Sequence, residues 1–204
     1  MATVADLIQE FREDQKDSVA PYFWSDNQLI RWINEGLAQF AINTHAILDY
    51  MDISLLPRER FVDVDPSVLA VIEARSNCNG YYEDYYCGYR RPYGCYRHVC
   101  YDKLGRIEVY PIPAIAGTLN LKVIRKPLRK LTQKAEQIPD LMDEWLPLIY
   151  LFMQYRAYNV ADAETFDKTK SNNRYAEFLD GCQRVREECI LRTGSCNRPI
   201  RSNW

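Results

Sequence analysis

Apolar residues recur at helical spacing toward both ends of the chain and alternate in short runs through its middle. Near the start, Val4, Leu7, Ile8 and Phe11 fall on one stripe, and Thr3 with Asp6 matches a capping box, which predicts a helix over 3–17. Pro21, within DSVAPYFW, breaks that pattern. SDNQ then supplies a second start signal. Ser25 pairs with Gln28, and Asp26 sits in the first turn, where a carboxylate complements the helix dipole. Leu29, Ile30, Ile33, Leu37, Phe40 and Ala41 follow at helical spacing, with Trp32 flanking the stripe, and predict a helix over 26–45.

After Asp49 the period changes. MDISLL and ERFVDV are short, partly alternating runs on either side of Pro57-Arg58 and read as a hairpin-like pair. VLAVIEAR, after Pro66, reads as a third strand. IEVYP (107–111) and TLNLKVIR (118–125) are two more, joined by the turn IPAIAG. In the last of these Leu119, Leu121, Val123 and Arg125 share one face. Helical spacing returns over 140–164, through Leu141, Trp145, Leu148, Ile149, Phe152, Tyr155 and Arg156. Pro147 should kink that helix or delay its start. A last helix over 168–192 carries Tyr175, Phe178, Leu179, Cys182, Val185 and Cys189 on one side, so Cys182 and Cys189 read as small core hydrophobes. The closing SCNRPIRSNW has no period and reads as extended or disordered on its own. The expected class is α+β: mainly a helical bundle of about four helices with a small antiparallel β insertion over 50–126, a long Tyr/Cys-rich loop and an extended C-terminal tail. Residues 1–192 are expected to form a single domain and 193–204 the tail.

Composition excludes more than it names. The 204 residues are 47% hydrophobic and 26% charged, enough for a sizeable core. A net charge of −2 is not that of a basic nucleic-acid binder. No run of about 18 apolar residues is present to span a membrane, and MATVADLIQEFRED does not read as a signal peptide. Seven cysteines, an odd number, favour reduced thiols over a disulfide framework. The near-neutral total divides into segments of opposite sign: −7 over 1–75, +1 over 76–103, +6 over 104–135, −5 over 136–181 and +3 over 182–204. Separate acidic and basic faces suit head-to-tail contact between copies. Scatter over a solvated surface is the plainer alternative.

The most unusual stretch is SNCNGYYEDYYCGYRRPYGCYRHVCYDK, residues 76–103, which holds 8 of the 15 tyrosines and 4 of the 7 cysteines. Cys78, Cys87, Cys95, His98 and Cys100 are weak candidates for a zinc site, because no Cys-x-x-Cys pair occurs among them. Tyrosines interleaved with Arg90, Arg91 and Arg97 would suit stacking on nucleic-acid bases, but Glu83 and Asp84 oppose it. The favoured reading is a contact surface, with Tyr81, Tyr82, Tyr85, Tyr86, Tyr89 and Tyr93 supplying amphipathic area at low entropic cost. An ordinary loop packed on its own domain is the remaining alternative. Catalytic patterns are nearly absent. The two histidines, His45 and His98, are far apart in sequence, and no G-x-S-x-G, P-loop, G-x-G-x-x-G or H-E-x-x-H pattern occurs. The carboxylates show no spacing for paired acid/base work. The chain is therefore read as a non-enzyme without cofactors.

Three segments carry a family resemblance. LIQEFREDQKDSVAPYFWSDNQLIRWINEGLAQFA resembles the N-terminal signature of tailed-phage head–tail adaptor (head-completion or connector) proteins, through Pro21, Tyr22, Trp24, Ser25, Asp26, Leu29, Trp32, Asn34 and Glu35. YPIPAIAGTLNLKVIRKPLRKL is similar to a second family segment, through Tyr110, Pro111, Pro113, Gly117, Leu119, Arg125, Pro127 and Leu131. The stretch from Ile138 to Phe178 looks like the family's closing helical pair. The resemblance lapses over about 76–103 and the last dozen residues.

The resemblance implies a structural virion protein at the head–tail junction, made in the host bacterial cytoplasm. It implies a ring, usually of twelve copies, below the portal, which extends the DNA channel and docks a tail or nozzle protein. Genomic DNA would pass through without sequence-specific binding, and no membrane is involved. In several such proteins a C-terminal segment anchors on the portal. Arg192, Arg198, Pro199, Ile200, Arg201 and Trp204 suit that role, because an aperiodic tail can order on binding and Trp and Arg are favoured anchors. A cell-wall hydrolase, an activity credited to some relatives, finds no matching acid/base pair here.

Overall fold

The first helix, α1 (Val4–Asp14), begins where the capping pair predicts. The Thr3 hydroxyl accepts from the Asp6 amide at 3.2 Å and the Asp6 carboxylate accepts from the Thr3 amide at 2.8 Å. The computed structural model describes residues 3–78, 81–87, 97–101, 105–138, 140–160 and 166–194, apart from the side chains of Cys78, Tyr81, Tyr82, Tyr86 and Thr193. Contacts divide the chain into two compact units, residues 1–46 with 129–204, and residues 47–128.

In the first unit, α2 (Asp26–Thr44) starts on the Ser25 hydroxyl, which accepts from the Gln28 amide at 3.3 Å, and ends at His45 in the left-handed region. A 3-10 turn (Asp143–Trp145) leads into α3 (Leu146–Tyr158), with Pro147 in the first turn, where its missing amide costs no helical bond. Pro147 thus delays the helix rather than kinking it. The last helix, α4 (Lys168–Gly194), is 27 residues long. Val4, Leu7, Phe11, Trp32, Phe40, Trp145, Phe152, Phe178 and Cys182 belong to one core. Phe152 meets Phe178 edge-on at 5.3 Å. A Cβ on Gly36 would lie 3.1 Å from the Phe152 ring, so a glycine there lets α2 approach α3 closely. Two details depart from the apolar stripes. Trp32 is not at their margin but 1% exposed, and Leu179 is 38% exposed.

The second unit holds seven strands among the described residues: β1 (Leu48–Leu55), β2 (Phe61–Asp63), β3 (Val68–Cys78), β4 (Tyr81–Cys87), β5 (His98–Tyr101), β6 (Arg106–Tyr110) and β7 (Gly117–Arg125). Their order is β1-β7-β3-β4-β5-β6-β2. Two antiparallel ladders are joined where β4 and β5 run parallel for two residue pairs, Tyr86 opposite His98 and Cys87 opposite Val99. Leu119, Leu121 and Val123 of β7 are buried, as the alternation predicts, and share a core with Val99, Ile107 and Val109 of the other ladder. The Tyr101 hydroxyl donates to the Val68 carbonyl at 3.0 Å and ties β5 to the start of β3.

These strands overturn the expected mainly helical bundle with a small β insertion. The β segment is a unit with its own core, and part of the stretch read as a long Tyr/Cys-rich loop is strand. Tyrosine is a good strand former, and the pairing that fixes these strands comes from partners remote in sequence. The hairpin-like pairing of MDISLL with ERFVDV is also wrong. β1 pairs with β7 and β2 with β6, each lying at an edge of the sheet.

Candidate functional site

Three residues of the N-terminal signature, Tyr22, Trp24 and Asp26, converge on one buried cation, Arg12. Arg12 lies four residues beyond Ile8, on the register of the apolar stripe of α1, and is 6% exposed. Its guanidinium pairs with the buried Asp17 carboxylate, donates to the Trp24 carbonyl at 2.7 Å and to Asp26 at 2.9 Å, and stacks on the Tyr22 ring at 3.8 Å. Asp17 in turn accepts from the Phe23 amide at 2.6 Å. The loop between α1 and α2 is therefore tied from within, by a charge whose partners surround it. Trp24 packs edge-on against Phe11 at 5.4 Å and Trp32 at 6.4 Å. Sequence reasoning missed Arg12 and Asp17. The available signal was an arginine in phase with an apolar stripe, followed five residues later by an aspartate.

The rest of the signature is architectural as well. The Asn34 amide donates to the carbonyls of Ile30 and Leu131 at 2.9 Å each and accepts from the Leu131 amide at 2.8 Å, pinning the strap before α3 to α2. Glu35 pairs with Arg156 at 3.2 Å. Asp26 pairs with Lys134 and Arg12, and these partners, Lys134 foremost, hold its carboxyl below the ordinary range. Such a group stabilises the fold above its unfolded pKa, and the contribution disappears as pH falls through the lowered folded value. The melting temperature should accordingly drop below about pH 4, and Asp26→Asn should flatten that drop in melts across pH 3–6. In the second unit, Arg125 is 5% exposed and donates to Asp49 at 2.6 Å.

Of the tyrosines expected to bind a tail protein, Tyr85 is half-buried against the β core. Tyr81, Tyr82 and Tyr86 lie in β4 by backbone only, while Tyr89 and Tyr93 fall outside the described residues. The metal candidates divide in the same way. Cys87 is a free thiol, Cys100 is half-buried in β5, and His98 is buried with Nδ1 lacking a hydrogen-bond partner. Cys95 and the Cys78 side chain lie outside the described residues. Among the described residues no three His, Cys, Asp or Glu side chains converge on a metal position. Arg192, in the last turn of α4, pairs with Glu188 and, at 3.7 Å, with Glu144. Arg198, Pro199, Ile200, Arg201 and Trp204 lie outside the described residues.

Burial pushes the Cys182 thiol up to about 12 and the Cys87 thiol up to about 11. The thiolate is the reactive form, so neither should be alkylated at neutral pH until the protein unfolds. Mass spectrometry after an iodoacetamide pulse, with and without denaturant, checks this. Rapid labelling of Cys182 in the native protein would contradict its place in the core.

The buried charges lock loops and straps. One concavity, of about 580 Å³, lies on the sheet beside Tyr50, Lys122 and Arg75. No curated protein matches the chain. The family model described as SU10 adaptor protein matches residues 2–195. That match takes in all three segments whose residues resemble phage adaptors, and the chain therefore belongs to the SU10 adaptor protein family, a family of phage head–tail adaptors.

Proposed function

We propose that this chain is one subunit of a ring, usually of twelve copies in such adaptors, that sits below the portal, extends the DNA channel and presents a docking surface to the tail. Family membership makes it a phage adaptor and a structural component of the virion at the head–tail junction. The finer reading assigns residues 193–204 to the portal and the Tyr-rich segment around 81–93 to the tail protein.

The observation that supports the portal assignment is the end of α4. Ile190 and Leu191 are 58% and 76% exposed on its last turns, immediately before a segment with Arg198, Ile200, Arg201 and Trp204. Exposed aliphatic side chains beside arginine and tryptophan are the composition of a binding anchor. Deleting 193–204 should leave the melting temperature unchanged and abolish stable attachment to portal protein in a co-sedimentation assay. Attachment retained by the truncated chain removes the tail from the mechanism.

A further inference from the structure

Parts of the acidic and basic segments of the sequence are exposed as two surfaces of opposite charge. One is a groove of about 280 Å³ between α1 and the start of α3, floored by Leu7, Leu146 and Tyr150 and rimmed by Asp6, Glu10 and Asp143. Asp6 and Glu10 are spaced by one helical turn and so lie on one face of α1. No lysine or arginine is among the described residues that line it.

The other surface is exposed and basic. It is the sequence Leu128-Arg129-Lys130, with Leu128 57% exposed and both cations exposed. Its neighbours in sequence are hydrogen-bonded each within its own unit. The Lys126 amide donates to the Ser67 carbonyl at 2.8 Å, and the Lys126 carbonyl accepts from Arg125 at 3.1 Å. Downstream, Leu131 is held by Asn34 through two hydrogen bonds.

We propose that Leu128 of one copy seats in the α1–α3 groove of the next, with Arg129 and Lys130 against the acidic rim at Glu10 and Asp143. The inference rests on the ring reading and names its subunit contact. Charge complementarity selects the occupant, since the groove offers an apolar floor with a negative rim and the segment an apolar side chain with positive neighbours. Donor and acceptor are different surfaces of the same chain. The contact is therefore head-to-tail and propagates, as a ring requires, instead of ending at a two-fold dimer.

The test is a charge swap followed by sedimentation, with the full chain, alone and with portal protein. Arg129→Glu/Lys130→Glu and, separately, Glu10→Lys/Asp143→Lys should each raise the concentration of half-assembly at least about tenfold, because like charges then face each other. An equimolar mixture of the two variants should recover assembly, since each then offers the other an opposite charge, and recovery requires that both are folded. Leu128→Asp, on an exposed position, should weaken assembly while leaving the melting temperature unchanged. Wild-type-like assembly of the Arg129/Lys130 variant overturns the proposal, as does a mixture of folded variants that stays dissociated. A defect confined to the groove variant also overturns it, because the groove then has another occupant. If the wild-type chain never assembles, even with portal protein, it is the ring reading that fails.

Discussion

Replacing Arg12 by alanine is expected to destabilise the helical unit by about 3–5 kcal/mol, the cost of stripping one partner from a buried ion pair. The side chains of Arg12 and Asp17 are 8% and 6% exposed. Truncation leaves the Asp17 carboxylate buried, with the Phe23 amide at 2.6 Å as its close remaining donor. It also frees the Trp24 carbonyl and removes the cation beneath Tyr22. Arg12→Lys should recover little, because an ammonium cannot reach Asp17, Asp26 and the Trp24 carbonyl with one planar fork. Arg12→Ala with Asp17→Asn should cost less than Arg12→Ala alone, since the uncompensated charge is then gone. Urea midpoints of the three variants check this. A wild-type midpoint for Arg12→Ala would show that the pair does not hold the loop.

Trp32→Ala carries the second large effect, also about 3–5 kcal/mol. Trp32 is 1% exposed and is the largest fully buried side chain among the described residues. It touches Phe11 and Trp24 edge-on at 6.4 Å each, so its loss opens a cavity among α1, the following loop and α2. Because Trp32 and Trp24 touch, the double variant Trp24→Ala/Trp32→Ala should lose less than the two single losses together. Guanidinium unfolding measures all three. A loss below about 1 kcal/mol for Trp32→Ala would mean that the neighbouring rings collapse into the space.

These residues also show what a sequence reading reaches and where it stops. Local signals survived folding. Thr3 and Ser25 cap the helices that their spacing predicts, and Leu119, Leu121 and Val123 bury the face their alternation assigns. Non-local pairing did not show. Nothing within MDISLL or ERFVDV states that one strand pairs with residues 117–124 and the other with 106–108, and that pairing turns the expected small insertion into a unit with seven strands among the described residues. Buried charge was hidden for a different reason. Arg12 and Asp17 sit among other charged residues, where a solvated face is the default reading, and only the packed loop reveals that they neutralise each other. The motif residues Tyr22, Trp24, Asp26, Trp32 and Asn34 were legible as a family pattern. Their work, stacking on Arg12, filling the core and pinning Leu131, became visible only in three dimensions.

The central claim is that this adaptor acts as a ring on the portal. Negative-stain electron microscopy of the purified full chain mixed with portal protein from the same phage tests it most directly. Closed rings stacked coaxially on one end of the portal are expected, with the central channel continuous through both. A field of bare portals among dispersed monomers would contradict it.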